Sequence, residues 1–288
     1  MKRKLVDANR NPIYADLEID ETRVGVDWLT ITANTADRKK IILLRYLRLE
    51  EALKLLGETR KAWKWRGYEG CTIGGIRWAT RADSDILILS GQDAQSFWRT
   101  MAHLATNCSR VDLAVTARTH RCYPRLLHAY KAWLNVNGSA LARRCTTVER
   151  VDGIGMTLNV GRRSSDQFGR VYDKGAEQNS PLDVHRLWRY EVEFKDERAK
   201  RVLEQLISEK GKDEFPANIC STVHVWFDQR DVPPIFQKRG EALRLDLQAT
   251  ITSTSQKLAW LSKQVKPAVK RLSEQGYLDE VLVALGLD

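Results

Sequence analysis

No stretch of this chain approaches the ~20 consecutive apolar residues of a membrane span, and the basic start Met1-Lys-Arg-Lys lacks the apolar segment that a secretory signal requires. A cytoplasmic location is therefore expected. Its five cysteines, Cys71, Cys108, Cys122, Cys145 and Cys220, are odd in number with no close pair, which argues against a zinc knuckle and a disulfide framework. Gly153, Gly155 and Gly161 are not followed by Gly-Lys-Ser or Gly-Lys-Thr, so no phosphate-cradling loop and no nucleotide fuel are indicated. There is no His-x-His among His103, His120, His128, His185 and His224, no internal repeat and no sustained heptad pattern.

What is present is a globular composition with an excess of cations. The 288 residues are 43% hydrophobic, ample for a core. Forty-seven Lys and Arg against thirty-seven Asp and Glu give a formal charge of +10, which favours a polyanionic partner through counterion release. Between Arg38 and Arg66, ten Lys or Arg face three Glu, a local +7, and Lys61, Trp63, Lys64, Trp65, Arg66 and Tyr68 close that stretch. Cations that meet phosphates, interleaved with rings that stack on bases, suit a single-stranded nucleic acid. The same residues also read as an amphipathic helix through Ile41, Ile42, Tyr46, Leu49 and Leu53, followed by a strand whose indoles pack inward.

The most informative segment is Gly161–Glu177, GRRSSDQFGRVYDKGAE. As a strand, it sets Phe168, Arg170, Tyr172 and Lys174 on one face, with Arg162 and Arg163 upstream. Cations beside Tyr172 would favour the phenolate that a tyrosine nucleophile needs, and Arg170 and Lys174 could hold a phosphate. Read alone, the triplet is equally a strand with a solvated basic face. In Arg189-Tyr-Glu-Val-Glu-Phe, Tyr190, Val192 and Phe194 alternate with Arg189, Glu191 and Glu193. The two glutamates thus share a face about 7 Å apart. Hard oxygen ligands so placed suit Mg2+ or Mn2+, though lysines on a neighbouring strand would also satisfy them. Asp112, in Arg110-Val-Asp-Leu-Ala-Val-Thr, is a third carboxylate opposite a buried Val111, Leu113 and Val115 face. Asp27 ranks below it, as a hydrogen-bonded strand aspartate.

Strand-like pieces at Val24–Thr32, Ile86–Ser90, Arg110–Thr116, Thr157–Val160, Arg170–Lys174 and Leu187–Phe194 alternate with helical stretches near Arg38–Leu56, Ala94–Asn107, Tyr123–Val136 and Asp196–Ser208. Short turns between several strands indicate an α+β fold on a mostly antiparallel central sheet flanked by helices. Beyond Lys210-Gly-Lys-Asp the composition shifts and Pro216, Pro233 and Pro234 interrupt it. In the last helical region Leu258, Leu261, Val265, Val269 and Leu272 recur at helical spacing. Lys257, Lys263, Lys266, Lys270 and Arg271 crowd its other faces, and Pro267 is expected to kink or divide it. This helix packs on the main domain or presents its basic face, Lys263 and Lys270 included, to duplex DNA.

Taken in order, GVDWLTIT, RVDLAVT, GRRSSDQFGRVYDKGAE with RYEVEFK, and KLAWLSKQVKPAVKRL resemble the Rep_trans rolling-circle replication initiators of plasmids and filamentous phages, and the relaxases related to them, over roughly Val24 to Leu272. The resemblance implies a nicking-endonuclease-like domain over residues 21–210, preceded by an extension at 1–20 and followed by a C-terminal, mostly helical DNA-binding or packing region at 211–288. It implies that Tyr172 attacks the origin strand, becomes joined to the 5' phosphate and frees a 3' hydroxyl for a polymerase. Phe168 stands where some plasmid members carry another tyrosine, which leaves Tyr172 alone in the motif, and Tyr190 is expected to pack on the opposite face. Better-known nicking enzymes hold their ion with alternating histidines. Here the resemblance implies that Glu191 and Glu193, with Asp112, replace them around Mg2+ or Mn2+. The implied partner is DNA, single-stranded at the nick, with room for a host helicase and polymerase and a homodimer, and none for a membrane. Two further readings stay open: a conjugative relaxase acting at a transfer origin, and a non-catalytic DNA-binding regulator.

Overall fold

The computed structural model describes residues 19–103, 107–137, 145–149, 156–208, 211–244, 266–277, 279–280 and 283. Two compact units divide the chain, residues 1–245 and 246–288. The first is built on a ten-stranded antiparallel sheet with helices packed on one face, the α+β class expected from the alternation of short strands and turns.

In chain order the strands are β1 (Ile19–Ala33), β2 (Lys61–Trp65), β3 (Tyr68–Ile73), β4 (Ile76–Thr80), β5 (Asp85–Ser90), β6 (Asn107–Thr119), β7 (Thr146–Glu149), β8 (Met156–Val160), β9 (Gln167–Asp173) and β10 (Leu187–Lys195). The helices of the first unit are α1 (Ala36–Leu55), α2 (Gly91–Ala102), α3 (Leu126–Asn137), α4 (Lys174–Glu177), α5 (Asp196–Ile207) and α6 (Gly211–Asp228). Across the sheet the order is β2-β3-β4-β5-β1-β6-β10-β9-β8-β7. The long strands β1, β6 and β10 therefore lie side by side at its centre, where both neighbours satisfy their backbone groups.

Alternation decides which face each residue serves. On the helix-covered face, Val111, Leu113 and Val115 of β6, Tyr190, Val192 and Phe194 of β10, and Leu29 and Ile31 of β1 are all fully buried in one apolar cluster with α2, α3, α5 and α6. Tyr190 packs there as expected. Its hydroxyl lies 2.8 Å from that of Tyr130 and its ring meets Phe227 and Phe236 edge-on. α5 enters this core through Ala199, Val202, Leu203 and Leu206, an i, i+3, i+4, i+7 stripe.

The compact unit extends past the boundary expected near residue 210, because α6 is part of the core: Ile219, Cys220, Val223, Trp226 and Phe227 are buried in it. Gly169 on β9 marks the contact. A Cβ there would lie 2.3 Å from a Trp226 ring atom and 3.1 Å from Phe227. Gly169→Ala is accordingly expected to destabilise the protein by about 1–3 kcal/mol through overpacking, read as a lower urea midpoint with an unchanged slope.

In the second unit the described helix is α7 (Lys266–Glu274). Pro267 stands at the second described residue of this helix, so the kink or division expected at it bears on residues outside the described ones. Lys257, Leu258, Leu261, Lys263 and Val265 lie outside the described residues.

Candidate functional site

The face of the sheet opposite the helices carries the polar chemistry. Arg110 and Asp112 of β6, Arg189, Glu191 and Glu193 of β10, and Arg170 and Tyr172 of β9 alternate with the core residues and point the other way. A cavity of about 720 Å³ opens here, with Tyr172, Glu191, Asp112, Arg170, Asp27 and Trp28 in its lining. Asp27 and Trp28 are sequence neighbours, and strict alternation would separate them. The β1–β6 register shifts between Val26 and Trp28, an irregularity of the bulge type that turns both side chains to one side. Asp27, ranked low from sequence, is thereby part of the cavity.

Tyr172 donates its hydroxyl proton to Glu191 Oε2 at 3.2 Å. Burial first, and then the Glu191 carboxylate, push the phenol's ionisation well above its ordinary value, with Arg189 opposing. The resting group is thus a protonated phenol with its acceptor in place. Arg170 and Lys174, expected to favour the phenolate from either side, are each paired with a carboxylate instead. Arg170 is bound to Glu191 and lies 3.7 Å from Asp112 Oδ2, and Lys174 is bound to Glu177 with its Nζ 5.7 Å from the Tyr172 ring centre. Lys174 is also not a strand residue. β9 ends at Asp173, whose carboxylate caps α4 by accepting from Ala176 N at 2.9 Å and also accepts from His185 N, in the loop before β10, at 2.7 Å.

The cation that sequence reasoning missed is Arg189. It sits opposite Tyr172 in the β9–β10 register and is almost completely buried. Its Nε donates to Thr116 Oγ1 at 2.9 Å and a terminal nitrogen to Asp27 Oδ1 at 2.8 Å. Burial works against its charge, but Asp27 and Tyr172 outweigh that and hold it protonated. Its position opposite the tyrosine was readable only after β9 and β10 had been paired in register.

Of the three expected metal ligands, two face the cavity. Asp112 and Glu191 are neighbours, and Asp112 is pushed well above the usual carboxylate range by burial and then by the Glu191 charge, against the pull of Arg110. Arg110 grips both Asp112 oxygens at 2.8 and 2.6 Å. Glu193 lies on the far side of Arg110, which it meets at 3.0 Å, and is tied to Lys195 at 2.9 Å. No three His, Cys, Asp or Glu side chains among the described residues cluster as a metal site. Two adjacent buried carboxylates beside a cavity still fit a magnesium-like ion, which commonly takes one or two carboxylates and completes its shell with water and substrate phosphate oxygens.

The expected DNA contacts divide by location. Arg162 and Arg163 are exposed, and Arg163 lines the cavity, its guanidinium carbon 5.7 Å from the Phe168 ring centre. Lys61 and Arg66 are exposed at the β2 end of the sheet. Lys64 is exposed as well, on the face of β2 opposite the tryptophans and paired with Glu69 at 2.7 Å. Lys270 is exposed on α7, 3.7 Å from Glu274, and Lys263 is outside the described residues. No helix among the described residues is long and apolar enough to cross a membrane.

Comparison with known proteins gives a family match and a structural one. The sequence model of a family described as replication initiation factor matches residues 106–284, a span that includes β6, β9, β10 and the tyrosine. The solved structure of a rolling circle replication initiator protein from Geobacillus stearothermophilus is similar in fold, with a TM-score of 0.52 and 19% identity over 82% of this chain and 91% of that one. No curated protein matches the sequence.

Proposed function

Because this chain belongs to the replication initiation factor family, we propose that it nicks one DNA strand at a replication origin through a covalent 5'-phosphotyrosine at Tyr172 and so starts rolling-circle replication. The observation that carries this reading is the 3.2 Å hydrogen bond from the Tyr172 hydroxyl to Glu191 inside the cavity. It supplies a nucleophile together with an acceptor for its proton.

In the proposed reaction the Tyr172 oxygen bonds to phosphorus as its proton passes to Glu191 Oε2. The bond from phosphorus to the 3' oxygen breaks, that oxygen leaves with the electron pair, and on protonation it becomes the free 3' hydroxyl. Arg170, within reach of the same carboxylates, moves onto the phosphate as the negative charge of the transition state develops. Arg189, fixed by Thr116 and Asp27, stabilises the tyrosine oxygen while it sheds its proton. Glu191 and Asp112 are the residues that would hold a Mg2+ or Mn2+ ion, which when bound would polarise the scissile phosphate.

The deciding experiment incubates the protein with supercoiled DNA of its own replicon and a divalent cation, digests the product and maps the peptide that carries nucleotide. Attachment at Tyr172 is the expected result. Nicking with attachment elsewhere would remove Tyr172, and binding without nicking would leave a DNA-binding regulator.

A further inference from the structure

The face that carries the cavity continues away from it toward the β2 edge of the sheet as a lane of aromatic rings. Trp28 belongs to the cavity wall, with Arg110 and Arg77 guanidinium carbons 4.5 and 5.5 Å from its ring centre. Next to it, Ile86 and Ile88 of β5, Ala79 of β4 and Tyr68 of β3 form a second small apolar cluster, against which both Trp28 and Trp63 pack. From there the rings run in series. Trp63 stacks on Trp65 at 6.2 Å and 13°, and Trp65 on Tyr68 at 6.3 Å and 23°.

The turn joining β2 to β3 holds two residues, Arg66 and Gly67, both at positive φ. This is the tight primed hairpin whose twist suits the flanking strands. It carries the Arg66 guanidinium over the Trp65 ring at 4.8 Å. Tyr68 in turn lies under Arg81 at 4.7 Å. An outermost edge strand gains little stability from a large indole left 40% exposed. A row of rings interleaved with guanidinium groups, leading out of a cavity, is what a single strand needs: faces for bases and cations for the backbone between them.

The geometry points to this lane, Trp28–Trp63–Trp65 with Arg77 and Arg66, as a binding track for single-stranded DNA that flanks the scissile phosphate. It rests on the reading of the chain as a strand-cleaving enzyme and adds where the uncleaved part of the strand runs. From β1 to β2 are four strand spacings, about 19 Å, which at the rise of a stacked strand corresponds to roughly six nucleotides.

The test measures affinity by fluorescence anisotropy with labelled single-stranded oligonucleotides, in the full-length protein carrying Tyr172→Phe so that no cleavage intervenes. Lengthening the oligonucleotide by six nucleotides on the side that enters the lane is expected to raise affinity roughly tenfold, and Trp65→Ala to reduce that gain to less than twofold. Trp65→Phe, which keeps a stacking ring, is expected to retain most of it. A gain unchanged in Trp65→Ala, lost equally in Trp65→Phe, or reproduced by duplex of the same length would overturn the lane. Mapping of the covalent peptide in the otherwise unaltered chain reports on the cleavage reading separately. Absence of an adduct with the length gain intact would sink the nickase and leave the lane standing, whereas an adduct with no Trp65-dependent gain would do the reverse.

Discussion

Replacing Tyr172 with phenylalanine is expected to leave no covalent protein–DNA product, a loss of at least about 10³-fold in nicking rate, while origin binding changes by less than threefold. The removed oxygen is the proposed nucleophile, and among the described residues no other tyrosine lines the cavity. Tyr190 is held in the core by Tyr130, Phe227 and Phe236 on the opposite face of the sheet, and position 168 is a phenylalanine. Folding should survive, since the ring stays and the lost bond is a single hydrogen bond to Glu191. The measurement is a denaturing gel of end-labelled oligonucleotide beside an anisotropy titration. Adduct formation at an undiminished rate in the variant would exclude Tyr172 as nucleophile.

Glu191→Gln is expected to slow adduct formation by about 10²–10³-fold and to change its pH dependence. Burial and the Glu191 charge keep the phenol protonated at neutral pH, so the phenolate fraction is small and rises tenfold with each pH unit below its ionisation. In the proposed reaction of the natural chain Glu191 takes the proton during attack, and the rate should be nearly level from pH 7 to 9. In the variant the phenolate must form first, and the rate should climb steeply with pH over the same window. A variant with the same level profile would show that the proton leaves by another route. Titrating Mg2+ or Mn2+ in parallel separates a weakened ion site, which more cation rescues, from a lost proton acceptor, which it does not.

The residues that form strands announce themselves wherever one face is apolar. Val111, Leu113 and Val115, or Tyr190, Val192 and Phe194, alternate with charges; β10 lies within one residue of where that pattern places it, and β6 runs three residues further at each end. The tyrosine and the Asp112–Glu191 pair were legible for the same reason, since alternation fixes a face without any knowledge of neighbours. Three features needed the sheet itself. Glu193 shares a face with Glu191, yet Arg110 reaches across from β6 and takes it away from the cavity. Asp27 enters the cavity through a register shift against β6 that a single strand cannot reveal. The partners of Arg170 and Lys174 are carboxylates, and a local pattern of cations around a tyrosine says nothing about which acids will arrive to neutralise them. The α6 helix was assigned to a separate mostly helical region because Pro216 and the shift in composition suggested a boundary near residue 210, whereas Trp226 and Phe227 anchor it against β9.

The division of labour between the two sides of β6 and β10 constrains how this protein can change over time. On each strand, consecutive positions serve incompatible solvents, one a packed interior and the next a charged hollow. Inserting or deleting a single residue within Val111–Thr116 or Arg189–Phe194 would send arginines and glutamates into the interior and expel the valines and aromatic rings. Sequence drift at the reaction centre is thus confined to replacement in place, and length variation among descendants of this chain should accumulate in its connecting loops, never in these two strands.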